Sequence, residues 1–253
     1  MLSIIIPVLN EASTIVKLME HLSEKANPEN ISEIIVVDGG STDETVQLLH
    51  TLSDTHTSFK LRFLHAKKGR ASQMNAGAAI GTGEILYFLH ADSFPPKNFD
   101  SYIIDEIRKG VPAGCFRMRF NSNHWWLKLM GWFTKFSWRA CRGGDQSQFI
   151  TRKLFDEIGG YDEDYIIYED NILINELYAR NSFVVIPYCL TTSARLYERK
   201  GVFYVQYHFL NIYFKRWMGA DAGELLAYYK KYLRCNSSTG NVPQKEKREI
   251  ITE

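Results

Sequence analysis

Apolar residues cluster in four strand-length runs over the first ninety positions: LSIIIPV (2 to 8), ISEIIVVD (31 to 38), FKLRFLH (59 to 65) and EILYFLH (84 to 90). Between them the spacing changes to that of helices. In residues 13 to 25, Ile15, Leu18, Met19 and Leu22 fall on one face, and in residues 42 to 52 Val46, Leu49 and Leu52 do the same. Runs that are apolar throughout, rather than alternating, predict strands covered on both faces. Strands interleaved with amphipathic helices predict an α/β domain with a mostly parallel central sheet flanked by helices and joined by right-handed crossovers.

The second half has a different texture. Residues 98 to 110 read as a helix, 113 to 121 as a strand, and 124 to 138 as an aromatic helix. Loop, helix, acidic loop, helix and strand follow through residue 187, then a second aromatic stretch at 203 to 219 and a helix around ELLAYYKKYL. The segment 236 to 253 is polar and aperiodic and reads as a disordered tail. There is no internal repeat. The expected organisation is one domain over 1–235, comprising a nucleotide-binding half (1–95), an acceptor-side half (96–200) and a helical C-terminal part (201–235).

In a parallel sheet the ligand crevice opens at the carboxyl ends of the strands. The polar clusters of the first half fall there: Asn10 and Glu11 after the first run, Asp38 to Asp43 after the second, His90 to Asp92 after the fourth. The first turn, PVLNEAS, holds no glycine, which argues against a Rossmann cofactor site, and no P-loop is present. Ser41 and Glu44 have capping-box spacing. Asp43 either caps that helix or contacts a ligand, whereas Asp38, at a strand tip with no helix of its own to cap, points to a ligand role. An extended chain through residues 90 to 92 would aim His90 and Asp92 at one side of the crevice.

Composition narrows the picture. With 45% hydrophobic residues the chain of 253 has material for a sizeable core, and 30 basic against 29 acidic residues leave a formal charge of +1. That balance gives no global field for nucleic acid, so a polyanion would have to be recognised locally. The four cysteines are scattered without zinc spacing, which implies free thiols in a reducing compartment, with neither disulfides nor zinc. No stretch reaches the ~18 uninterrupted apolar residues of a membrane span. The expectation is a cytoplasmic protein, with peripheral contact at the inner membrane face as an option.

Five ordered segments, SIIIPVLNEASTI, IIVVDGGSTDET, GRASQMNAGAAIGTGEILYFLHADS, GGDQSQFITRKLFDEIGGYDE and YEDNILINELYARN, resemble the family 2 glycosyltransferases of GT-A fold. More narrowly they resemble the bacterial radical-SAM/selenodomain-associated transferases. The resemblance implies transfer of a sugar from a nucleotide-diphosphate sugar, with a UDP-sugar favoured, to an unknown acceptor, a lipid-linked one being an option, with inversion at the anomeric carbon. It assigns Pro7, Asn10, Glu11 and Asp38 to the base and ribose, with Asp43 a weaker member of the set. Arg70 would meet the diphosphate.

The fourth strand in this family usually ends in Asp-x-Asp, whose second carboxylate helps bind Mg²⁺ or Mn²⁺. Asp92 matches that ligand, while His90 stands where an aspartate is usual. His90 is thus a metal ligand, a donor contact or a strand-end histidine. Asp170 in YED matches the base that takes the acceptor proton, with Glu169 beside it, and both also suit an acidic first helical turn. Asp145 and Gln146 of GGDQ match the acceptor-side loop.

Several residues stay open. Gln73 and Asn75 face the nucleotide or decorate their helix; Lys67 and Lys68 read as solvated, and Asp162 to Asp164 as an exposed acidic turn. Arg195, Arg199 and His208 are candidates to close the diphosphate site. Trp125, Trp126, Trp132 and Trp138, interleaved with Lys128, Lys135 and Arg139, form core, a sugar-stacking wall or an interfacial surface. Two rival readings remain, a nucleotidyltransferase acting on a sugar phosphate and a non-catalytic nucleotide-sugar binding module. The first usually carries a glycine- and arginine-rich loop after its first strand, which PVLNEAS is not.

Overall fold

A computed structural model describes residues 1–54 and 59–234; the tail expected at 236 to 253 lies outside them. In chain order the elements begin β1 (Leu2–Val8), α1 (Ile15–Lys25), β2 (Ile31–Asp38), α2 (Thr45–Asp54), β3 (Leu61–His65), α3 (Arg70–Ile80) and β4 (Ile85–Phe88). They continue with β5 (Ser93–Phe94), α4 (Phe99–Arg108), β6 (Ala113–Phe120), α5 (Trp125–Phe133), β7 (Gln148–Thr151), α6 (Arg152–Ile158) and α7 (Glu169–Ala179). The last described are β8 (Val184–Thr192), α8 (Arg195–Lys200), α9 (Val202–Trp217) and α10 (Ala222–Tyr232).

The eight strands form one sheet in the order β3-β2-β1-β4-β7-β6-β8-β5. β3, β2, β1 and β4 are mutually parallel, as is the β6–β8 pair; β7 runs antiparallel between β4 and β6, and β5 antiparallel to β8. The four early runs therefore make the parallel half of the sheet.

Burial on both faces explains why these runs are apolar throughout. Ile4, Ile6, Val8, Ile34, Val36 and Tyr87 pack with α1, α2 and α4 on one side. Ile5, Ile35, Val37, Leu86 and Phe88 pack with α3, α6 and α7 on the other. Each fully buried side chain of this size contributes about 1.5–3 kcal/mol. α3 approaches β1 so closely that a Cβ at Gly77 would lie 2.5 Å from Ile5 Cγ2. The third cluster is separate: Val205 and Ile212 of α9 pack with Leu225 of α10 and Leu233. Among the described residues no helix is long and apolar enough to cross a membrane.

At the amino ends of the strands sits a buried polar knot. Glu33 Oε1 accepts hydrogen bonds from Ser3 Oγ (2.6 Å), Thr82 N (2.6 Å) and Thr82 Oγ1 (2.8 Å), and Oε2 accepts from Arg62 Nη1 at 3.2 Å. Burial alone would raise the Glu33 pKa; these bonds outweigh it and hold the carboxyl at about 2.

Candidate functional site

The loops after β1 and β2 are laced together at the strand tips. Asn10, with φ of 58°, donates its N–H to Ser41 Oγ (2.9 Å) and accepts at Oδ1 from Thr42 N–H (2.8 Å). Glu11 N–H donates to Thr45 Oγ1 (2.9 Å) and Ala12 N–H to Asp43 Oδ2 (3.2 Å). Asp43 Oδ1 also accepts from Thr45 N–H (3.0 Å), so Asp43 satisfies the first turn of α2. The expected Ser41–Glu44 capping box does not form, because the Ser41 hydroxyl is engaged by Asn10.

Asp38 is buried, and both of its oxygens are occupied. Oδ2 accepts from Gly40 N–H (3.0 Å) and lies 3.1 Å from His65 Nδ1, and Oδ1 accepts from Ser41 N–H (3.1 Å). Burial pushes its pKa up, and these bonds outweigh that and lower it. The turn they enclose needs Gly40, whose φ is 93°. Asp38 thus shapes the β2 loop, and a ligand contact would come in addition. Pro7 is buried within β1, opposite Val37 of β2. Gln73, buried on α3, donates from Nε2 to Val8 O (2.9 Å) and Val37 O (2.7 Å), tying the helix to two strand tips.

The β4 tip departs from expectation. The strand ends at Phe88, and Ser93 N–H closes a turn onto His90 O at 3.0 Å. His90 and Asp92 therefore flank a turn instead of sharing one side of an extended strand. Asp92 still faces the β1 loop: Arg195 Nη2 donates to Asp92 Oδ2 (2.9 Å) and to both Glu11 oxygens (3.0 Å each). One guanidinium nitrogen from the start of α8 thus joins the β1 and β4 tips. Burial would lower the Arg195 pKa, but Glu11 and Asp92 raise it well above its usual value. The 184-residue separation of Arg195 from Glu11 hid this bridge from sequence reasoning.

Across the cleft stand Glu169 and Asp170, the first two residues of α7, both buried. Asp170, His90 and Gln146 line one small cavity. Gln146 is fixed by Cys115 Sγ, 3.6 Å from its Oε1, and by its own bond from Nε2 to Cys141 O (3.3 Å). Although Asp145 retains solvent exposure on this loop, loss of water to the surrounding protein is the main cause that raises its pKa. His90 and Arg70 oppose that shift, while Asp92 and Asp170 reinforce it. These four charged or titratable groups therefore all act on Asp145.

Glu169 is the least comfortable group of the site. Burial, then Asp170, pushes its pKa up to about 8, against the pull of Arg70, whose Nη1 lies 3.9 Å from Oε1. Arg70, half exposed at the start of α3, is held charged by Glu169, Asp170 and Asp145, which outweigh its desolvation. Glu169 Oε1, the Tyr161 hydroxyl and both amide atoms of Gln148 are buried with no hydrogen-bond partner among the described residues. Tyr161 and Gln148 line the same cavity as Asp170. Each such group costs about 1–3 kcal/mol, so a cluster of them marks a place where polar atoms are kept for something other than the fold. Gln148 and Tyr161 both lie within the segment GGDQSQFITRKLFDEIGGYDE, of which the resemblance singles out only Asp145 and Gln146.

The donor set suits a hard cation completed by substrate. Asp92 commits one oxygen to Arg195, and among the described residues no three His, Cys, Asp or Glu side chains cluster as a metal site. An ion here would take most of its ligands from phosphate oxygens and water, as Mg²⁺ and Mn²⁺ do and structural zinc does not.

Other candidates lie outside the cleft wall. Asn75 donates from Nδ2 to Tyr161 O (2.9 Å) and Glu163 Oε1 (3.0 Å), and accepts from Tyr161 N–H (2.9 Å), so it straps the loop before α7 and does not present its amide to a nucleotide. Glu163, in the exposed acidic turn, also accepts from Ser72. His208 is packed between α9 and α10, with Nδ1 2.8 Å from Tyr228 Oη and its ring stacked on Tyr232; its place is in that cluster and not on a diphosphate. Arg199, Lys67 and Lys68 are exposed.

Comparison with known proteins agrees with this architecture. The family model described as "Glycosyl transferase family 2" matches residues 3–163. The probable glycosyltransferase YdaM of Bacillus subtilis is 26% identical over 195 residues, covering 70% of this chain and 46% of that protein. The beta-monoglucosyldiacylglycerol synthase of Nostoc is 24% identical over 180 residues, covering 65% and 38%. The chain thus spans less than half of these curated relatives. Among solved structures, the mannosyltransferase PcManGT from Pyrobaculum calidifontis, in complex with GDP-Man and Mn2+, superposes with a TM-score of 0.67 at 18% identity, over 92% of this chain and 67% of that one. S. aureus TarS 1-349 in complex with UDP-GlcNAc gives 0.61 at 16% identity, over 76% and 58%. A parallel half-sheet whose tips carry the polar loops, the match over most of its length and the shared GT-A-like fold lead to one conclusion: this chain belongs to glycosyl transferase family 2.

Proposed function

We propose that the cleft binds a nucleotide-diphosphate sugar, preferably a UDP-sugar, across the tips of β1, β2 and β4 and transfers the sugar to an acceptor hydroxyl with inversion. The observation that carries the reading is the placement of Asp170, His90 and Gln146 around one cavity, next to the Glu11–Arg195–Asp92 bridge. The relatives with printed activities are sugar transferases, and two structural neighbours hold UDP-GlcNAc and GDP-Man with Mn2+. The motifs favour the radical-SAM/selenodomain-associated subgroup.

In this reading the β1 and β2 loops hold base and ribose, and Arg70 at the amino end of α3 meets phosphate. Asp170 accepts the proton of the acceptor hydroxyl. The acceptor oxygen bonds to the anomeric carbon as the bond from that carbon to the diphosphate oxygen breaks, and the nucleoside diphosphate leaves with the bonding pair. Asp92, aided by His90, would hold a Mg²⁺ or Mn²⁺ ion, which supplies charge neutralisation on the departing diphosphate. Glu169, its pKa raised by burial, can in its protonated form donate a hydrogen bond to the acceptor as well as accept one, and so orients it. Asp145 and Gln146 meet the sugar or acceptor.

The test is turnover of a panel of nucleotide sugars by the wild type and by Asp170→Asn. The expected result is a loss of about 10²–10⁴-fold in kcat with nucleotide Kd changed less than about twofold. An equal loss of turnover and affinity would mean that Asp170 is structural, and no turnover of any donor by the wild type would favour the binding module.

A further inference from the structure

Two regions that take no part in the cleft chemistry share an unusual surface. On α9 the core-facing row is Val205, His208 and Ile212, packed with α10. The opposite side carries Phe203, Tyr207, Leu210, Phe214 and Trp217, exposed by 57%, 61%, 59%, 56% and 78%. At 3.6 residues per turn these five fall within a stripe about 80° wide and about 21 Å long, centred roughly opposite the buried row. A helix exposing only its polar residues would be fully explained by α10. This one is apolar on two faces, and the second is largely open to solvent.

The stripe continues onto α5. Phe203 lies 6.3 Å from Trp125, 5.7 Å from Trp126 and 5.9 Å from His124, ring centre to ring centre. Further along, Trp132 and Trp138 are also more than half exposed. A groove of about 270 Å³ beside α5 is lined by Trp132 together with Arg117, Arg119, Lys128 and Lys135.

Charge decides what covers it. From His124 to Arg142 there are four cations (Lys128, Lys135, Arg139, Arg142) and no Asp or Glu, and from Arg199 to Gly219 four more (Arg199, Lys200, Lys215, Arg216), again with no acid. The whole chain, by contrast, is balanced at +1. Arg139 and Arg142 are engaged within the fold and Lys215 extends over the Tyr228 ring of α10 (5.4 Å to its centre), while Lys128 stands exposed beside the tryptophans of α5. A second copy meeting this face through a two-fold axis would bring like charges together. Tryptophan and tyrosine with flanking lysine suit the boundary between acyl chains and anionic headgroups.

We infer that the exposed face of α9, continued by the tryptophans of α5, docks the protein onto an anionic bilayer surface without crossing it. The inference does not rest on the transfer chemistry, since binding is read without turnover.

The experiment is co-sedimentation of the full chain with phosphatidylcholine vesicles and with mixed phosphatidylcholine–phosphatidylglycerol vesicles, at low and high salt. The expected result is binding to the anionic vesicles that weakens with salt, and a blue shift of tryptophan fluorescence on binding. The double variant Phe214→Glu/Trp217→Glu, altered only at exposed positions, should lose about tenfold or more in vesicle affinity, and Lys128→Glu should weaken binding as well. Both should keep the wild-type melting temperature and nucleotide affinity. No binding to anionic vesicles, or binding that neither variant weakens, overturns the inference. So does a wild type that is dimeric in solution and becomes monomeric on Phe214→Glu/Trp217→Glu without binding vesicles.

Discussion

Glu33 and Glu169 are both buried glutamates, 0% and 2% exposed, and they are pushed in opposite directions. Glu33, at the amino ends of the strands, is saturated by Ser3, Thr82 and Arg62, and its pKa falls to about 2. Glu169, at the mouth of the cleft, has an oxygen with no hydrogen-bond partner, and its pKa rises to about 8. Burial acts on both in the same sense; the difference lies in what the chain supplies around each. One end of the sheet spends polar groups on the fold, and the other withholds partners where a substrate would meet the protein.

The comparison breaks first at Glu33. Glu33→Ala removes the acceptor for two hydroxyls, an amide and a guanidinium, and should cost roughly 3–5 kcal/mol in chemical denaturation. The pH dependence follows from the sign of the shift. A carboxyl with a depressed folded pKa contributes stability above its unfolded value of 4.5, and this is lost as pH falls from 4.5 toward about 2. Across that window the wild type should lose about 3 kcal/mol more than Glu33→Gln does. An unchanged acid slope in the variant would remove Glu33 from the account.

The next effect tests the frame itself. Gly77→Ala would drive a Cβ to 2.5 Å from Ile5 Cγ2 and 3.1 Å from Val37 Cγ2, so α3 must shift against the sheet. A loss of about 1–3 kcal/mol is expected, with nucleotide affinity weakened as Arg70 and Gln73 move with the helix. A smaller and opposite effect is expected at Glu169. Its raised pKa means that the folded state loses stability as pH rises from 4.5 through about 8, where the unfolded chain ionises more readily. Glu169→Gln should flatten that decline and gain about 1 kcal/mol near pH 8 while turnover falls. If the variant is instead destabilised across this range, Glu169 belongs with Glu33.

The same contrast explains what could be read from the residues. Continuous apolar runs gave β1, β2 and β4 because two-sided burial dictates them, and the loops at their tips are tied together through Asn10, Ser41 and Arg195. Their detail was less legible. Ser41 has the spacing of a cap, but Asn10, thirty-one residues away, claims its hydroxyl. His90 reads as part of an extended strand end shared with Asp92, but the chain turns at it. Arg195 carries only a charge in the sequence, and its bridge between Glu11 and Asp92 exists only once α8 is packed against the β1 loop. Gln148 and Tyr161 lie in a segment that carries the resemblance, but what marks them within it is a missing partner, which no local pattern encodes.

Calorimetric titration of UDP into the wild type and into Asp92→Asn, with and without Mn²⁺, tests the central claim most directly. The account predicts that Mn²⁺ tightens wild-type binding by about tenfold or more and that Asp92→Asn loses this gain. Affinity indifferent to the ion, or a gain that survives in Asp92→Asn, would contradict a strand-tip cleft built around a cation-bridged diphosphate.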